Sequence, residues 1–218
     1  MISRSLVESI NDWGANHSRA MPWRSVTSLY WLAVAETLLQ KTRGEDVVAV
    51  WEKVIDCFPT AEMLAGSDPA ELTLIVKGLG LGSQRSNRLI NMARVIHNRA
   101  DDALNHRIPG LGSYGHSILS LANGIEPITA PVDGNISRII CRCFGLKFES
   151  GEARKNPSVR AMMGCLLALN SSPEDKIKTV YALVDLGSKV CLPRTPICLD
   201  CPLIETCYWY RSGFNSAK

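Results

Sequence analysis

The sequence has no stretch able to cross a bilayer. Its longest apolar run, 29–39, is broken by Glu36 and falls short of the ~20 residues a spanning helix needs. Residues 1–11 mix polar and apolar side chains and contain no signal-peptide core, so an intracellular protein is expected. Charge of one sign is scarce. The 24 basic and 21 acidic side chains leave a net charge of +3, which permits nucleic-acid binding without arguing for it. There is no fixed-period repeat, no low-complexity segment and no convincing strand alternation. What remains is 218 residues, 46% apolar and 21% charged. That balance excludes disorder as the main state and suffices for one large or two small cores.

The apolar spacing is helical almost throughout. Leu6, Ile10 and Trp13 mark a helix over 5–17, and 28–42 reads as a helix apolar on most sides. Val47, Val50, Trp51, Val54 and Phe58 mark a third. Asp68, Pro69 and Glu71 supply a cap, an N1 proline and an N3 acid for a fourth that stops at Gly78. Ser83 is the expected cap of a fifth, with Leu89, Ala93 and Ile96 on its inner stripe. A tight Gly-rich turn follows at 108–114, and another helix after Asp133. Asn156-Pro157 and Ser172-Pro173 should start helices over 157–169 and 173–189. The expectation is an all-α chain of nine or ten helices, with 146–156 its most linker-like part.

Eight cysteines in a chain without an export signal do not suggest a disulfide framework. Cys57, Cys141, Cys143 and Cys165 read as small core residues. Cys191, Cys198, Cys201 and Cys207 fall within 17 positions, separated by Pro193, Pro196 and Pro202. Four thiolates on so stiff a loop fit a [4Fe–4S] cluster or a structural zinc ion. Zinc sites usually pair two short CxxC hooks. Here one short hook is flanked by longer arms, which suits the larger cubane.

C-x6-C-x2-C-x5-C at the end of an all-α chain of this length resembles the endonuclease III and MutY group of helix-hairpin-helix DNA glycosylases. Further matches run along most of the chain: Pro22-Trp23-Arg24, the helix 35–42, the loop 80–85, the hairpin 108–119, Val132-Asp133-Gly134-Asn135, and Asp185-Leu186-Gly187 before the cysteines. The resemblance implies a two-domain helix-hairpin-helix glycosylase fold with a C-terminal iron–sulfur loop. One domain, 23–131, would carry six helices and the hairpin; the other would join 1–22 to 132–218 and hold the [4Fe–4S] cluster. The active site would lie between them. Double-stranded DNA with a mismatched or damaged base is the implied partner. A monomer associated with the nucleoid in the cytoplasm is expected, with no membrane.

In such a hairpin, Gly110 and Gly112 let the backbone turn sharply and leave N–H groups unshielded at the start of a helix, where the dipole favours an anion. One DNA phosphate can dock there without a base contact. The bland reading is an αα-turn whose glycines only relieve strain. Lys41, Arg43, Arg85 and Arg88 are further candidates for phosphate contacts. By resemblance, Gln40 and Leu81 enter the duplex at the lesion. The amide would fill the hole left by an extruded base and the leucine would wedge the opposite stack; interhelical packing is the other reading of Leu81.

Cleaving a base from deoxyribose leaves positive charge on the sugar and negative charge on the base. Asp133 is the candidate anion near C1′, and it can also serve as the N-cap of the next helix, which would keep it ionised. Glu36 lies in an otherwise apolar helix, where an unpaired carboxylate is costly to bury. It should therefore face a pocket and, with a raised pKa, donate to the flipped base, or else pair with an arginine such as Arg24. In family members that also cut the backbone, the second residue after the hairpin's last glycine is a lysine that forms an imine with the sugar. Tyr114 stands there. A phenol of pKa ~10 cannot form that imine, so a monofunctional hydrolase is expected.

Tyr114, the Gly82-Ser83-Gln84-Arg85 loop and the short chain together resemble thymine-DNA mismatch glycosylases of the Mig type, implying removal of T or U opposite G. MutY-like adenine excision opposite G or 8-oxoG is the first alternative. Those enzymes typically carry a further C-terminal domain, and this chain ends eleven residues after Cys207. A non-catalytic iron–sulfur DNA-binding protein on the same scaffold is the second.

Overall fold

The computed structural model describes residues 2–147 and 153–213, and among these there are helices and turns but no strand. The chain divides into two compact units. One, the cysteine unit, joins Met1–Arg19 to Gly124–Lys218; the other, the hairpin unit, is Ala20–Asn123. The 23–131 unit expected from the sequence therefore starts three residues late and ends eight residues late. Residue 19 belongs with the cysteine unit because the Arg19 backbone N–H and Nε both donate to the fully buried Asp185 carboxylate, at 2.8 and 2.7 Å.

Helix α1 (Arg4–His17) opens the cysteine unit. In the hairpin unit come α2 (Leu29–Leu38), α3 (Gly44–Cys57), α4 (Ala61–Ala65), α5 (Pro69–Val76), α6 (Gly82–Asn98) and α7 (Ser113–Ala122). The chain then returns to the cysteine unit with α8 (Gly134–Phe144), α9 (Pro157–Ala168), α10 (Pro173–Lys189) and α11 (Tyr208–Arg211).

Helix α2 is the core of the hairpin unit. Its residues Leu32 to Leu38 are all buried, and it packs against α3, α6 and α7. Trp51 locks α3 to it: its Nε1 donates to the Trp31 carbonyl at 2.9 Å, and its ring meets Trp23 and Trp31 edge-on. The Tyr30 hydroxyl donates to the buried Phe58 carbonyl at 2.7 Å. In the cysteine unit α10 is central, with α1, α8 and α9 packed on it. A Cβ on Gly14 would lie 2.5 Å from that of Ala182, so glycine sets the close approach of α1 to α10.

Asp68, Asn156 and Ser172 each cap their helix with a proline following, as their sequences imply. Four expectations need correction. Helix α2 ends at Leu38 rather than at 42, because Lys41 takes a left-handed φ of 59°. Ser83 does not cap α6; the cap position is Leu81, also left-handed, with no side-chain bond. The single turns α4 and α11 add to the helices counted from the sequence, being too short to show a period. Of the cysteines read as core, only Cys143 is buried; Cys57 and Cys165 are exposed and Cys141 is half-buried. The 146–156 segment contains a 3-10 turn at Ala153–Lys155, while 148–152 lies outside the described residues.

Candidate functional site

In the hairpin unit the hairpin turn is built as its glycines require. Gly110 has φ +84°, a conformation open to glycine at little cost. A Cβ there would sit 3.4 Å from both Arg88 Cβ and Thr37 Cγ2, so the turn leans closely on α6 and α2. Helix α7 then starts at Ser113, with Gly112 at its cap position and so no cap side chain over its first turn. Tyr114 is half-buried in that first turn.

Glu36 is 8% exposed, near the end of α2. Its Oε2 lies 3.4 Å from where a Cβ on Gly115 would stand. The missing side chain at 115 thus lets the carboxylate rest against the first turn of α7, one residue from Tyr114. The structure places the acid and the phenol's helix together.

Two loops of the same unit carry the other candidates. The Gln40 amide donates to the Gly110 carbonyl and its Oε1 accepts from Arg88 Nη1 at 3.4 Å, so its side chain is docked on the hairpin. Lys41 is exposed. Leu81 is 62% exposed, which removes the interhelical-packing reading. A bulky residue at φ 53° is strained, and this one presents its side chain to solvent. Arg85 is a correction. A candidate for phosphate contact in the sequence, it is only 5% exposed and its guanidinium is engaged by backbone carbonyls. Burial, with the neighbouring Arg88 charge, pulls it below the usual arginine value.

In the cysteine unit Asp133 caps α8. Its Oδ1 accepts from the Ile136 N–H at 2.7 Å and its Oδ2 from the Asn135 amide at 3.1 Å. Burial raises its pKa. The Ile136 and Asn135 N–H groups and the Arg138 charge oppose this without cancelling it, so the cap alone does not keep the acid at its ordinary value. Asn135 Oδ1 accepts in turn from Arg138 Nη2 at 2.8 Å. Arg138 also donates to the carbonyls of Gly187 and Cys191, both at 2.7 Å. One turn on, Arg142 Nη1 bonds the Leu192 carbonyl at 2.7 Å and approaches Cys191 Sγ at 3.3 Å, while its guanidinium stacks over Trp209. Sequence reasoning missed these two arginines. Their i, i+4 spacing behind Asp133 was the available signal.

Cys191, Cys198, Cys201 and Cys207 line a single pocket with Arg142, Val190 and Trp209. None is in a disulfide. Burial pushes the Cys201 thiol up to about 11, and the nearby Cys191, Cys207 and Cys198 add to the rise. Among the described residues no three His, Cys, Asp or Glu side chains are grouped to hold a single metal ion. Four thiol donors from one loop are a ligand set suited to a [4Fe–4S] cluster or to structural zinc.

The pattern of the HhH-GPD superfamily of base excision DNA repair proteins matches residues 34–157, which span both the hairpin and the Asp133 loop. The chain belongs to this superfamily. It is 28% identical to a thymine-DNA glycosylase of Aeropyrum pernix over 97% of this chain and 95% of that one. It is 32% identical to an adenine DNA glycosylase of Mycolicibacterium smegmatis over 98% of this chain and 72% of that one. A solved thermostable thymine-DNA glycosylase superposes with a TM-score of 0.80 at 25% identity, covering 95% of both chains. The all-α helix-hairpin-helix glycosylase fold read from the sequence is therefore the fold observed.

Proposed function

We propose that this superfamily member is a monofunctional DNA glycosylase that excises T or U mispaired with G, working as a monomer on double-stranded DNA. The observation that carries this reading is the carboxylate of Glu36 resting against the first turn of α7, where Tyr114 stands in place of an amine. Full-length similarity to the thymine-directed relative supports the substrate class.

In this reading the target nucleotide leaves the stack and its C1′–N bond breaks. Positive charge grows on the sugar, and the Asp133 carboxylate, fixed by Ile136 and Asn135, offsets it without having to reorganise. Glu36 hydrogen-bonds the departing base. Water adds its oxygen to C1′, and a proton ends on the base. Tyr114 supplies no amine, so no imine forms and the product keeps an intact backbone at an abasic sugar. Cys191, Cys198, Cys201 and Cys207 would hold a [4Fe–4S] cluster that fixes the loop between α10 and α11. Cys198→Ser should abolish an iron–sulfur absorbance that survives mild oxidation in the wild type; bound zinc with no such absorbance would replace the cluster by a single ion.

The adenine-directed reading has the Mycolicibacterium relative in its favour. Single-turnover cleavage of T:G, U:G, A:G and A:8-oxoG duplexes separates the readings, with Asp133→Asn as control. Cleavage of T:G and U:G alone is expected, and borohydride should trap no covalent adduct. Preferred cleavage of A:8-oxoG would transfer the assignment to adenine. Cleavage of none would leave a DNA-binding protein.

A further inference from the structure

Arg85 is a buried cation without a counter-ion. It has no carboxylate among its partners in the described residues, although burying an unpaired charge is expensive. Its cost is met by the ends of two helical elements. Nε donates to the Gly80 carbonyl at 2.9 Å, and Nη1 to that of Leu38 at 2.9 Å. Nη2 donates to the Thr42 hydroxyl at 2.6 Å, with longer bonds to the Leu79 and Gln40 carbonyls at 3.2 and 3.3 Å. Leu38 and Gln40 lie at the C-terminal end of α2; Leu79 and Gly80 close the 3-10 turn Lys77–Leu79. Both ends leave carbonyls unpaired and carry the negative pole of their helix. One planar fork satisfies both at once.

The loops so joined have a second feature in common. Lys41 and Leu81 are the non-glycine residues with positive φ among those described, and each directly follows a carbonyl that Arg85 holds. Strained backbone persists where its surroundings over-determine it, and here the same guanidinium over-determines both places. Gln40 extends the tie to the hairpin through its bond to Gly110.

We propose that Arg85 is a positioning residue, a clamp that couples the 38–42 loop to the 79–81 loop and fixes the separation at which Gln40 and Leu81 meet DNA. The clamp rests on the hydrogen bonds; its consequence for catalysis rests on the function proposed above. A lysine offers one point charge and cannot fork between the loops, while a methionine keeps the stem and drops the donors.

The full chain is compared with Arg85→Lys and Arg85→Met by amide hydrogen exchange. It is also assayed for single-turnover cleavage of T opposite G in a duplex and of T in an unpaired bulge, where the base is already out of the stack. Exchange should accelerate together at 40–42 and 79–82 and stay unchanged in α9. Duplex cleavage should fall about 100-fold, as for misplaced positioning groups, and by at least about tenfold more than bulge cleavage, which needs less unstacking. Acceleration in only one loop or in neither overturns the clamp, as does an equal loss on both substrates. If the wild type cleaves neither substrate, the proposed function fails and the exchange pattern alone decides the clamp. Should both variants unfold, Thr42→Val removes one acceptor at a half-buried position. It should accelerate exchange in both loops to a smaller degree, and unchanged exchange would overturn the proposal.

Discussion

In the hairpin unit, the side chains expected to enter DNA stand on loops whose backbones pass through left-handed conformations at Lys41 and Leu81. In the cysteine unit, the carboxylate expected to face the sugar stands at the mouth of a regular helix, holding the cap bond that any aspartate there would make. Both settings use a buried or half-buried arginine to bind carbonyls at helix ends, Arg85 in the first and Arg138 in the second. The two arginines do different work. Arg85 links loops that have no regular structure of their own, so strain is retained and the side chain of Leu81 is free to intrude. Arg138 hydrogen-bonds Asn135, which holds Asp133, and ties it to the cysteine loop, so the carboxylate is held without strain. Intrusion tolerates an exposed, costly conformation; charge stabilisation demands a fixed one.

The largest expected effect tests the carboxylate side. Asp133→Asn keeps the side-chain size, and asparagine caps helices as well as aspartate does. Single-turnover cleavage should nevertheless fall about 100- to 1000-fold, the usual cost of removing one preorganised electrostatic group. The melting temperature should change by no more than about 2 °C, because the cap energy is nearly conserved. A large loss of stability alongside the loss of activity would make Asp133 a structural residue instead.

Next comes the loop side. Leu81→Ala removes an exposed side chain that buries little in the free protein, so the fold should be indifferent. On a T:G duplex the rate should fall by about tenfold, reflecting the loss of a wedge that helps unstack the base. A change in stability without a change in rate would return Leu81 to the packing role. The contrast is then direct: one residue matters for DNA and not for the fold, although it sits in the more strained backbone.

How much of this the sequence disclosed depends on where the deciding contact lies. Asp68, Asn156 and Ser172 announced their helices because cap, proline and first turn are neighbours in the chain. Asp133 was legible for the same reason. The end of α2 was not, because the groups that hold it come from Arg85, 47 positions beyond Leu38. Arg85 itself carried an unused signal. It precedes Leu89 by four residues, on the same helical stripe as Ala93 and Ile96, and that spacing already assigned it to the inner face of α6. The exposure of Cys57 and Cys165 shows the converse: a small apolar residue on a helix is core only when a neighbouring element covers its face.

A smaller effect sharpens the comparison within the cysteine unit. A Cβ on Gly187 would lie 2.5 Å from Asn135 Cβ, whereas one on Gly164 would meet nothing within 4 Å. Gly187→Ala must displace Asn135 or α10, at an overpacking cost of about 1–3 kcal/mol. In a chain of this size that should lower the melting temperature by about 2–12 °C. Gly164→Ala, on the same type of helix, should be neutral or stabilising by up to about 1 kcal/mol. Cleavage should suffer only in the first variant, since Asn135 holds the Asp133 carboxylate. Equal melting temperatures for the two would mean that the contact relaxes freely and that Asn135 is not held tightly.

The smallest expected effect is on pH dependence. Asp133 must be ionised to stabilise a cationic sugar, and burial raises its pKa above the ordinary aspartate value. The acid limb of kcat/KM should therefore have its midpoint higher than that of a solvated aspartate. For stability the sign is opposite. A carboxyl whose folded pKa is raised stabilises the fold below its ordinary pKa, and that contribution is lost as pH rises through the folded value. At neutral pH Asp133 is thus a charge the fold would rather not hold, and Asp133→Asn should melt no lower, and slightly higher, than the wild type there, with the difference vanishing in acid. Replacing Asn135 by Leu removes a bond that favours the ionised form, so the acid limb should move further up. A limb at or below the usual aspartate range in the wild type would mean that the N–H groups of Ile136 and Asn135 outweigh burial, and that the carboxylate is held ionised by its cap after all.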